Sequence, residues 1–212
     1  MKIEFIAHAT FKLTLNDERI IVIDPYLSMS FQGRFNYPKF DEKCDFAVIT
    51  HEHLDHNYLG DLKGNPVVVR NSWVDEGLRI QSVFAYHDKF QGTKFGGYVL
   101  MKLIEADGIR LCHMGDCGEI LSAAQIKSLG KIDILLIPVG GFYTIDGIEA
   151  AELAKRIGAR TTIPCHYLTP KCSLKLEDET RFLSQFKNIY TMNGVVDAEN
   201  LPNGIVHLLS RY

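Results

Sequence analysis

Residues 50–56, THEHLDH, place three histidines, a glutamate and an aspartate within seven positions, although the whole chain has only eight histidines. A solvated turn can carry such a string, but a polar turn has no special preference for imidazole. Neutral imidazole and carboxylate are the usual protein ligands of zinc and related metal ions. The stretch therefore indicates a metal site, provided that other segments of the chain supply further ligands.

The composition favours one globular domain. The chain has 212 residues, of which 46% are hydrophobic, and its formal net charge is −3. This length suffices for one well-buried core and is short for two, so we expect a single domain spanning residues 1–212. No run of Lys or Arg exceeds two residues. The near-balanced charge argues against nucleic acid or an anionic membrane as the main partner.

Several features predict a cytoplasmic protein. The first residues, MKIEFIAHATFKL, contain no uninterrupted apolar segment followed by a small-residue cleavage site. Apolar runs such as ILLIPVGGF (134–142) are far shorter than the roughly 20 residues of a membrane helix. The chain has an odd number of cysteines without C-x-x-C spacing, which favours reduced thiols. They are Cys44, Cys112, Cys117, Cys165 and Cys172.

Hydrophobic patterning predicts strands first and then helices alternating with strands. Short β-branched or aromatic runs cover 2–8, 10–15, 19–24, 45–50, 65–69, 80–87, 96–104 and 108–114. Helical spacing follows at 118–130, 144–159 and 176–188, with further strands at 132–139, 160–167 and 204–209. This order predicts an α/β (α+β) protein of stacked sheets with helices outside. Residues 26–43 form one long irregular stretch, a length typical of functional lids or disordered loops.

Residues of the types that bind metal ions lie at the ends of many predicted strands. In layered α/β folds, ligand sites form beyond the carboxyl ends of strands. A single strand-end histidine is more readily interpreted as a capping or partly buried side chain, but the set together indicates a common site. Its members outside the 51–56 loop are His8, Asp24, His87, His113, Asp116 and His166.

The spacing within the 51–56 loop suits two ions. In an extended segment residues i and i+2 point the same way, so His51 and His53 can bind one ion together. A turn at Leu54 then directs Asp55 and His56 towards a second position. Two ions about 3.5–4 Å apart can use seven ligands with one shared carboxylate. A single zinc ion usually takes four.

The motifs resemble those of the metallo-β-lactamase superfamily, whose H-x-H-x-D-H signature matches residues 51–56. The chain is most similar to a compact branch of metal-dependent hydrolases related to the ascorbate-6-phosphate lactonase group. The matching segments are IAHATFKL (6–13), VIDPYL (22–27), VITHEHLDH (48–56), AYH (85–87), HMGDCGEI (113–120), LLIPVGGFYTIDGIEAA (135–151) and IPCHY (163–167). This resemblance implies a four-layer αββα sandwich of two mixed β-sheets flanked by helices.

The resemblance also implies a set of metal ligands. The first metal is held by His51, His53 and His87, the second by Asp55, His56 and His166, and Asp116 bridges both. His113 is an alternative to His87, because it is also a strand-end histidine. If His87 is the ligand, His113 is expected to lie behind the ligands or to donate a proton near the substrate.

Other residues receive supporting roles. His8 and Asp24 are expected to orient ligand imidazoles, although Asp24 before Pro25 could instead form only a turn. Cys117 stands where the family usually has threonine, and we interpret it as a small buried thiol. His207 has no partner pattern and is expected to be structural.

The implied chemistry is hydrolysis with two divalent metal ions, above all Zn²⁺, with Mn²⁺ or Fe²⁺ as alternatives. A metal-bridging hydroxide is expected to attack a carbonyl or phosphoryl centre, because metal ions lower the pKa of bound water from 15.7 to about 7. Asp55 and Asp116 are expected to remain ionised and to accept a hydrogen bond from this hydroxide. No G-x-S-x-G motif offers a serine nucleophile.

The expected substrate is a small, anionic molecule with an ester, lactone or phosphodiester bond. Residues 26–43 carry five aromatic side chains, and Arg34 and Tyr37 are predicted to contact the substrate. The same loop could instead serve packing or a homo-oligomer contact. The backbone N–H groups of Gly140 and Gly141 could face an oxyanion. Two alternatives are a nucleic-acid phosphodiesterase, which requires a basic groove, and a non-catalytic metal-binding module, which predicts missing ligands.

Overall fold

The computed structural model describes residues 1–212 and contains fourteen strands and three α-helices. The strands are β1 (Lys2–Ala7), β2 (Thr10–Thr14), β3 (Ile20–Ile23), β4 (Phe46–Val48), β5 (Val67–Val69), β6 (Trp73–Asp75), β7 (Leu78–Tyr86), β8 (Tyr98–Ala106), β9 (Ile109–His113), β10 (Ile134–Pro138), β11 (Thr161–Cys165), β12 (Ile189–Met192), β13 (Val195–Asp197) and β14 (Gly204–Leu208). The helices are α1 (Ala123–Leu129), α2 (Gly147–Ile157) and α3 (Thr180–Leu183).

The strands form two mixed sheets. The first has six strands in the order β13-β1-β2-β3-β4-β5, antiparallel from β13 to β3 and parallel from β3 to β5. The second has eight strands in the order β12-β14-β11-β10-β9-β8-β7-β6. It is antiparallel from β6 to β9 and parallel from there to β12. A large apolar core contains residues from both sheets.

Helices cover the parallel part of the second sheet. All five residues of β10 are buried, as expected for a parallel strand with both faces covered. The helix α2 begins at a capping box of Asp146 and Glu149 and ends at Gly158, whose φ of 67° suits glycine. Its buried alanines and leucine pack towards β10. The spacing of this segment therefore predicted both its type and its inner face.

The outer face of the first sheet is covered by the irregular segment 26–44 instead of a long helix. Its aromatic rings form a second, smaller core on apolar side chains of the sheet, among them Ile6 of β1 and Val22 of β3. The members of this core from the segment are Tyr26, Phe35, Tyr37, Phe40 and Cys44. Two sheets with covered outer faces confirm the predicted α/β sandwich, with a packed loop as the fourth layer.

Some elements differ from the predicted ones. The helix predicted at 176–188 is reduced to the single turn of α3, whose N-cap residue Glu179 makes no capping hydrogen bond with its side chain. The strands β6, β12 and β13 were not predicted. They are only three or four residues long and largely exposed, so they carry little hydrophobic periodicity. No helix is both long and apolar enough to cross a membrane.

A buried lysine lies between the sheets. The side chain of Lys102 in β8 is inaccessible to solvent, and its Nζ donates hydrogen bonds to Ser82 Oγ at 2.9 Å and to the carbonyl oxygen of Arg70. Both partners are uncharged, and the ammonium group forms no ion pair with a carboxylate. Burial lowers the pKa of Lys102 to about 8.

This burial predicts a gain of stability at alkaline pH. Between pH 8 and the usual lysine pKa of about 10.4, the unfolded chain binds the Lys102 proton more tightly than the folded protein. The free energy of unfolding therefore rises with pH in this window. We expect Lys102→Met to remove about 2 kcal/mol of this rise between pH 8 and pH 10, measured by urea denaturation. The exposed Lys131→Met serves as control, and equal pH dependence of both variants would contradict the assignment.

Candidate metal centre

The carboxyl ends of four strands place all seven predicted ligands at one edge of the sandwich. The 51–56 loop follows β4, His87 follows β7, Asp116 lies in the turn after β9, and His166 follows β11. All of the seven except His53 are buried, and His53 is half-buried. The first sheet thus supplies four of these side chains and the second sheet three.

The first cluster contains three imidazoles and one carboxylate. His53 Nδ1 lies 3.0 Å from His51 Nε2 and 3.3 Å from His87 Nε2. Asp116 Oδ2 lies 3.4 Å from His87 Nε2 and 3.7 Å from His51 Nε2. Four ligand atoms around a zinc ion with bonds of 2.0–2.1 Å are about 3.3–3.4 Å apart. These separations therefore fit one tetrahedral cation.

The second cluster uses the other oxygen of Asp116. Asp116 Oδ1 lies 3.1 Å from His56 Nε2 and 3.2 Å from His166 Nε2, and Asp55 Oδ2 lies 3.7 Å from His56 Nε2. His56 Nε2 and Asp116 Oδ1 are buried and have no hydrogen-bond partner. Buried polar atoms normally have a partner, so a cation between them fits the site. Asp116 thus has the arrangement of a bridging ligand.

Asp24 orients His56 from behind. Its carboxylate accepts hydrogen bonds from the Thr50 backbone N–H at 2.8 Å, from Thr50 Oγ1 at 2.6 Å and from His56 Nδ1 at 2.9 Å. Burial raises the pKa of Asp24, but the hydrogen bond and charge of His56 outweigh it and hold this pKa below its usual range. His56 Nδ1 therefore carries the proton, and Nε2 faces the second cluster. These contacts favour the orienting role over that of a simple turn former.

His8 contacts the same cluster through Asp55. Its Nε2 lies 3.2 Å from Asp55 Oδ2, and its ring centroid lies 4.0 Å from that of His166. Burial lowers the pKa of His8 to about 4, so the ring is neutral at pH 7. A neutral ring that donates from Nε2 orients the Asp55 carboxylate, whereas the sequence predicted that His8 orients a ligand imidazole.

Three residues of the centre have unusual backbone angles. The φ values of His8, Asp24 and His166 are 58°, 48° and 51°, in the left-handed region that residues other than glycine adopt uncommonly. Each of these residues directly follows a strand, β1, β3 and β11 respectively. The left-handed angle turns the chain sharply there and directs the side chain into the centre. Such angles cluster at functional sites, where the surrounding structure holds them.

The catalytic role considered for His113 is wrong. The ring is fully buried, Nε2 donates to the Ala9 carbonyl oxygen at 2.8 Å, and Nδ1 accepts from the Gly115 N–H at 2.8 Å. Both nitrogens are therefore occupied by backbone groups and can neither bind a metal nor give a proton to a substrate. His87 belongs to the first cluster of ligand-type atoms and His113 does not, and the contact of His113 with the Gly115 N–H lies in the turn that carries Asp116.

Cys117 and His207 lie where the sequence placed them, outside the ligand set. Burial raises the pKa of Cys117 to about 12, so the side chain is a thiol, and its sulfur contacts the carbonyl oxygen of Glu119 at 3.4 Å. His207, in β14, lies 3.4 Å from a carboxylate oxygen of Glu179. Neither side chain belongs to the two clusters of ligand atoms.

A cavity of about 180 Å³ opens above the clusters. Its floor contains His53, Asp55, His87, Asp116 and His166, and its walls are Phe31, Arg34, Phe95, Tyr143 and Leu174. A larger cavity of about 420 Å³ lies on the other side of His53, between the two sheets, and touches only the first cluster.

Two of the predicted substrate contacts are not in this cavity. Tyr37 is fully buried in the smaller core, and its hydroxyl lies 2.6 Å from Thr169 Oγ1, so its predicted substrate contact is wrong. The Gly141 N–H donates to the Ile145 carbonyl oxygen at 3.2 Å and is unavailable to an oxyanion. The loop 26–43 thus contributes Phe31 and Arg34 to the site, and its other aromatics pack against the first sheet.

The family described as the β-lactamase superfamily domain matches residues 2–166, more than half of the chain. The chain belongs to the metallo-β-lactamase superfamily. This family membership agrees with the two-sheet sandwich and with the position of the ligand residues at its edge. It also confirms the resemblance first indicated by residues 51–56.

Several superfamily members are similar over most of their length. A metal-dependent hydrolase of Methanoculleus marisnigri is 29% identical over 215 residues, which cover 89% of this chain and 91% of that protein. A crystal structure from Thermotoga maritima, assigned to the Zn-dependent hydrolases of the superfamily, is 31% identical and covers 98% of both chains with a TM-score of 0.78. A metal-dependent hydrolase of Parabacteroides distasonis, 22% identical with a TM-score of 0.67, shares the fold. These similarities confirm the predicted enzyme class.

Several functional side chains were missed in the sequence. Phe95, Tyr143 and Leu174 form cavity walls from three separate loops, and Thr50 supports Asp24. Thr50 lies in the opening motif, next to the ligands, so its position offered a signal. The positions of Phe95, Tyr143 and Leu174 offer no such signal in the sequence, because only folding brings their three loops together.

The division of ligands between the sheets predicts that metal ions stabilise this superfamily member. Ions held by these residues would connect the 51–56 loop to His87, Asp116 and His166, and such a site exists only in the folded chain. With metal at 1,000 times its Kd the gain is about 4 kcal/mol, or roughly 10 °C in Tm for a chain of this size. We expect EDTA to lower Tm by this amount in calorimetry.

Two variants test whether the lowering of Tm by EDTA depends on the ligand clusters. EDTA should change the Tm of His166→Ala by less than half the wild-type shift, because one ligand is lost. His207→Ala, outside the clusters, should keep the full shift. A wild-type Tm that is the same with and without chelator after metal loading contradicts a stabilising site.

Proposed function

We propose that this superfamily member is a metal-dependent hydrolase that cleaves an ester, lactone or phosphodiester bond of a small anionic molecule. One observation carries the proposal: the two oxygens of Asp116 face two separate clusters of ligand atoms on the floor of a single cavity. Such an arrangement suits two ions that act on one bond.

Two divalent ions fit the donor set. His51, His53 and His87 would hold one and Asp55, His56 and His166 the other, with Asp116 shared. Imidazole and carboxylate donors at tetrahedral spacing favour Zn²⁺, and Mn²⁺ or Fe²⁺ are alternatives. When bound, such ions supply a hydroxide nucleophile at neutral pH and polarise the scissile bond.

The carboxylates of the centre are held in their ionised form. Burial raises the pKa of Asp55, but the charge of His56 and the hydrogen bond from His8 outweigh it and lower this pKa strongly. The pKa of Asp116 is likewise well below its usual value, because His166 and His56 outweigh the effect of burial. Both side chains therefore stay anionic, so they can hold a metal ion and accept hydrogen bonds but cannot donate a proton.

Arg34 supports an anionic substrate. It is the one lysine or arginine that lines the 180 Å³ cavity, and its guanidinium forms no ion pair; Nε donates only to the Phe31 carbonyl oxygen at 3.2 Å. The remaining walls, Phe31, Phe95, Tyr143 and Leu174, are aromatic or apolar. An apolar wall with one free cation suits a small molecule with an apolar part and a negative group beside the scissile bond.

A small-molecule substrate is favoured over a nucleic acid. Binding to a nucleic acid strand depends on several lysine or arginine contacts along the backbone. The cavity with its one cation is poorly suited to such a strand. The five buried, unpaired thiols support the proposal that the protein works in the cytoplasm.

Removal of the shared carboxylate tests the function. The substrates are a panel of lactones, thioesters and bis(p-nitrophenyl) phosphate, assayed after loading with Zn²⁺ or Mn²⁺. We expect Asp116→Asn to lower kcat/KM at least about 1,000-fold, because both ions lose a charged ligand. Glu152→Gln, an exposed carboxylate on α2, is the matched control and should keep wild-type activity. Full activity of Asp116→Asn would refute the mechanism.

A charge substitution tests the substrate class. Arg34→Ala should raise KM about tenfold for substrates with a negative group and less than twofold for neutral analogues, because one charge-assisted contact is lost. Arg79→Ala, an exposed arginine on β7, should leave both values unchanged. Equal effects of Arg34→Ala on charged and neutral substrates would exclude Arg34 as the anion contact.

A further inference from the structure

A further cavity, of about 290 Å³, lies beside the 180 Å³ cavity above the ligand clusters and shares a wall with it. The 180 Å³ cavity is called the metal cavity and the 290 Å³ cavity the second cavity. Phe95 and Tyr143 line both cavities, and their ring centroids are 5.3 Å apart. Phe142 lines only the second cavity and contacts both rings, with centroid distances of 5.3 Å to Phe95 and 4.7 Å to Tyr143. The three rings thus form a continuous aromatic surface from one cavity to the other.

Two lysines are held against this surface. Lys94 Nζ lies 5.0 Å from the centroid of Phe95, 5.1 Å from that of Phe90 and 6.0 Å from that of Phe142. Lys175 Nζ lies 4.2 Å from the centroid of Phe142. Neither lysine forms an ion pair with a carboxylate. Cation–π contacts position an ammonium group without neutralising its charge.

The carboxylates around this second cavity are already engaged. Asp88 accepts hydrogen bonds from four backbone N–H groups, and Asp146 caps α2 by accepting from two. Both oxygens of Glu177 lie 2.7 Å from Nη1 of Arg181. Lys94 and Lys175 are therefore cations beside the cavity without a carboxylate partner, whereas its carboxylates are bound by backbone N–H groups or by Arg181.

The loop that carries Lys94 is preorganised. Asp88 Oδ1 accepts from the N–H groups of Phe90 and Gly92 at 2.7 and 3.0 Å, and Oδ2 from those of Lys94 and Phe95 at 2.9 and 2.8 Å. Asp88 itself follows the ligand His87. The Asp88 carboxylate thus holds the loop 90–95 beside the metal centre. Little conformational entropy of this loop is therefore lost when a ligand binds.

We infer that the second cavity, together with Lys94, Lys175 and Phe142, binds the distal part of the substrate, an anionic group on a flat aromatic body. We name this site the aromatic–lysine pocket. The inference rests on the proposed function for the identity of its ligand as substrate. At about 180 Å³ the metal cavity is smaller than the 300–1,000 Å³ of typical ligand sites, and the two cavities together reach that range.

An aromatic anion that is a poor metal ligand tests the pocket without hydrolysis. Naphthalene-2-sulfonate and the neutral 2-naphthol are titrated into the metal-loaded protein by calorimetry. We expect the double variant Lys94→Gln/Lys175→Gln to raise Kd for the sulfonate at least fivefold and Kd for 2-naphthol less than twofold. Phe142→Ala should weaken both ligands, because it removes the stacking surface.

Control variants keep the test specific. The double variant Lys94→Arg/Lys175→Arg retains both charges and should bind the sulfonate within twofold of wild type. Lys131→Gln, an exposed lysine outside the pocket, should have no effect. Unchanged Tm values show that the variants fold.

The outcomes separate the two proposals. Sulfonate binding that is absent in the wild type, or equal in the wild type and the Gln double variant, overturns the aromatic–lysine pocket, even if the enzyme hydrolyses the test substrates. Lysine-dependent sulfonate binding in a protein without hydrolase activity supports the pocket and refutes the proposed function instead.

Discussion

The centre depends on one buried carboxylate, that of Asp24, which accepts three hydrogen bonds at the edge of the first sheet. Two come from Thr50, so the end of β3 is tied to the start of the 51–56 loop, and the third fixes the ring of His56. Because Nδ1 of that ring is occupied, Nε2 must face the second cluster. A residue outside the predicted ligand set therefore determines how the H-x-H-x-D-H motif is presented.

The same edge joins the two sheets. The first sheet provides the 51–56 loop, and the second provides His87, Asp116 and His166 from the ends of β7, β9 and β11. Packing of the sheets around their common core brings these groups within ligand distance of one another. Some buried atoms of the clusters, such as His56 Nε2, have no hydrogen-bond partner in the protein. The free energy of folding and the affinity for metal thus both depend on the packing of the two sheets at this edge.

Strand periodicity predicted stacked sheets with outer helices, and the residue types at strand ends predicted a common site, because both are local signals. The four-layer sandwich and the assignment of individual ligands came from the resemblance to the superfamily. The sequence did not determine the direction of individual rings. His87 and His113 both end or follow strands, and nothing local in the sequence shows that the ring of His113 faces the Ala9 carbonyl oxygen between β1 and β2. Likewise Tyr37 is one of five aromatics in its loop, and its burial follows from contacts more than 100 residues away, including Thr169.

The left-handed φ angles of His8 and His166 carry a further consequence. A side chain in this region costs of order 1–3 kcal/mol, and glycine relieves that cost. Exchange of either imidazole for glycine thus removes local strain as it dismantles the centre. Local backbone stability and the presentation of these imidazoles to the centre are therefore opposed at the two positions.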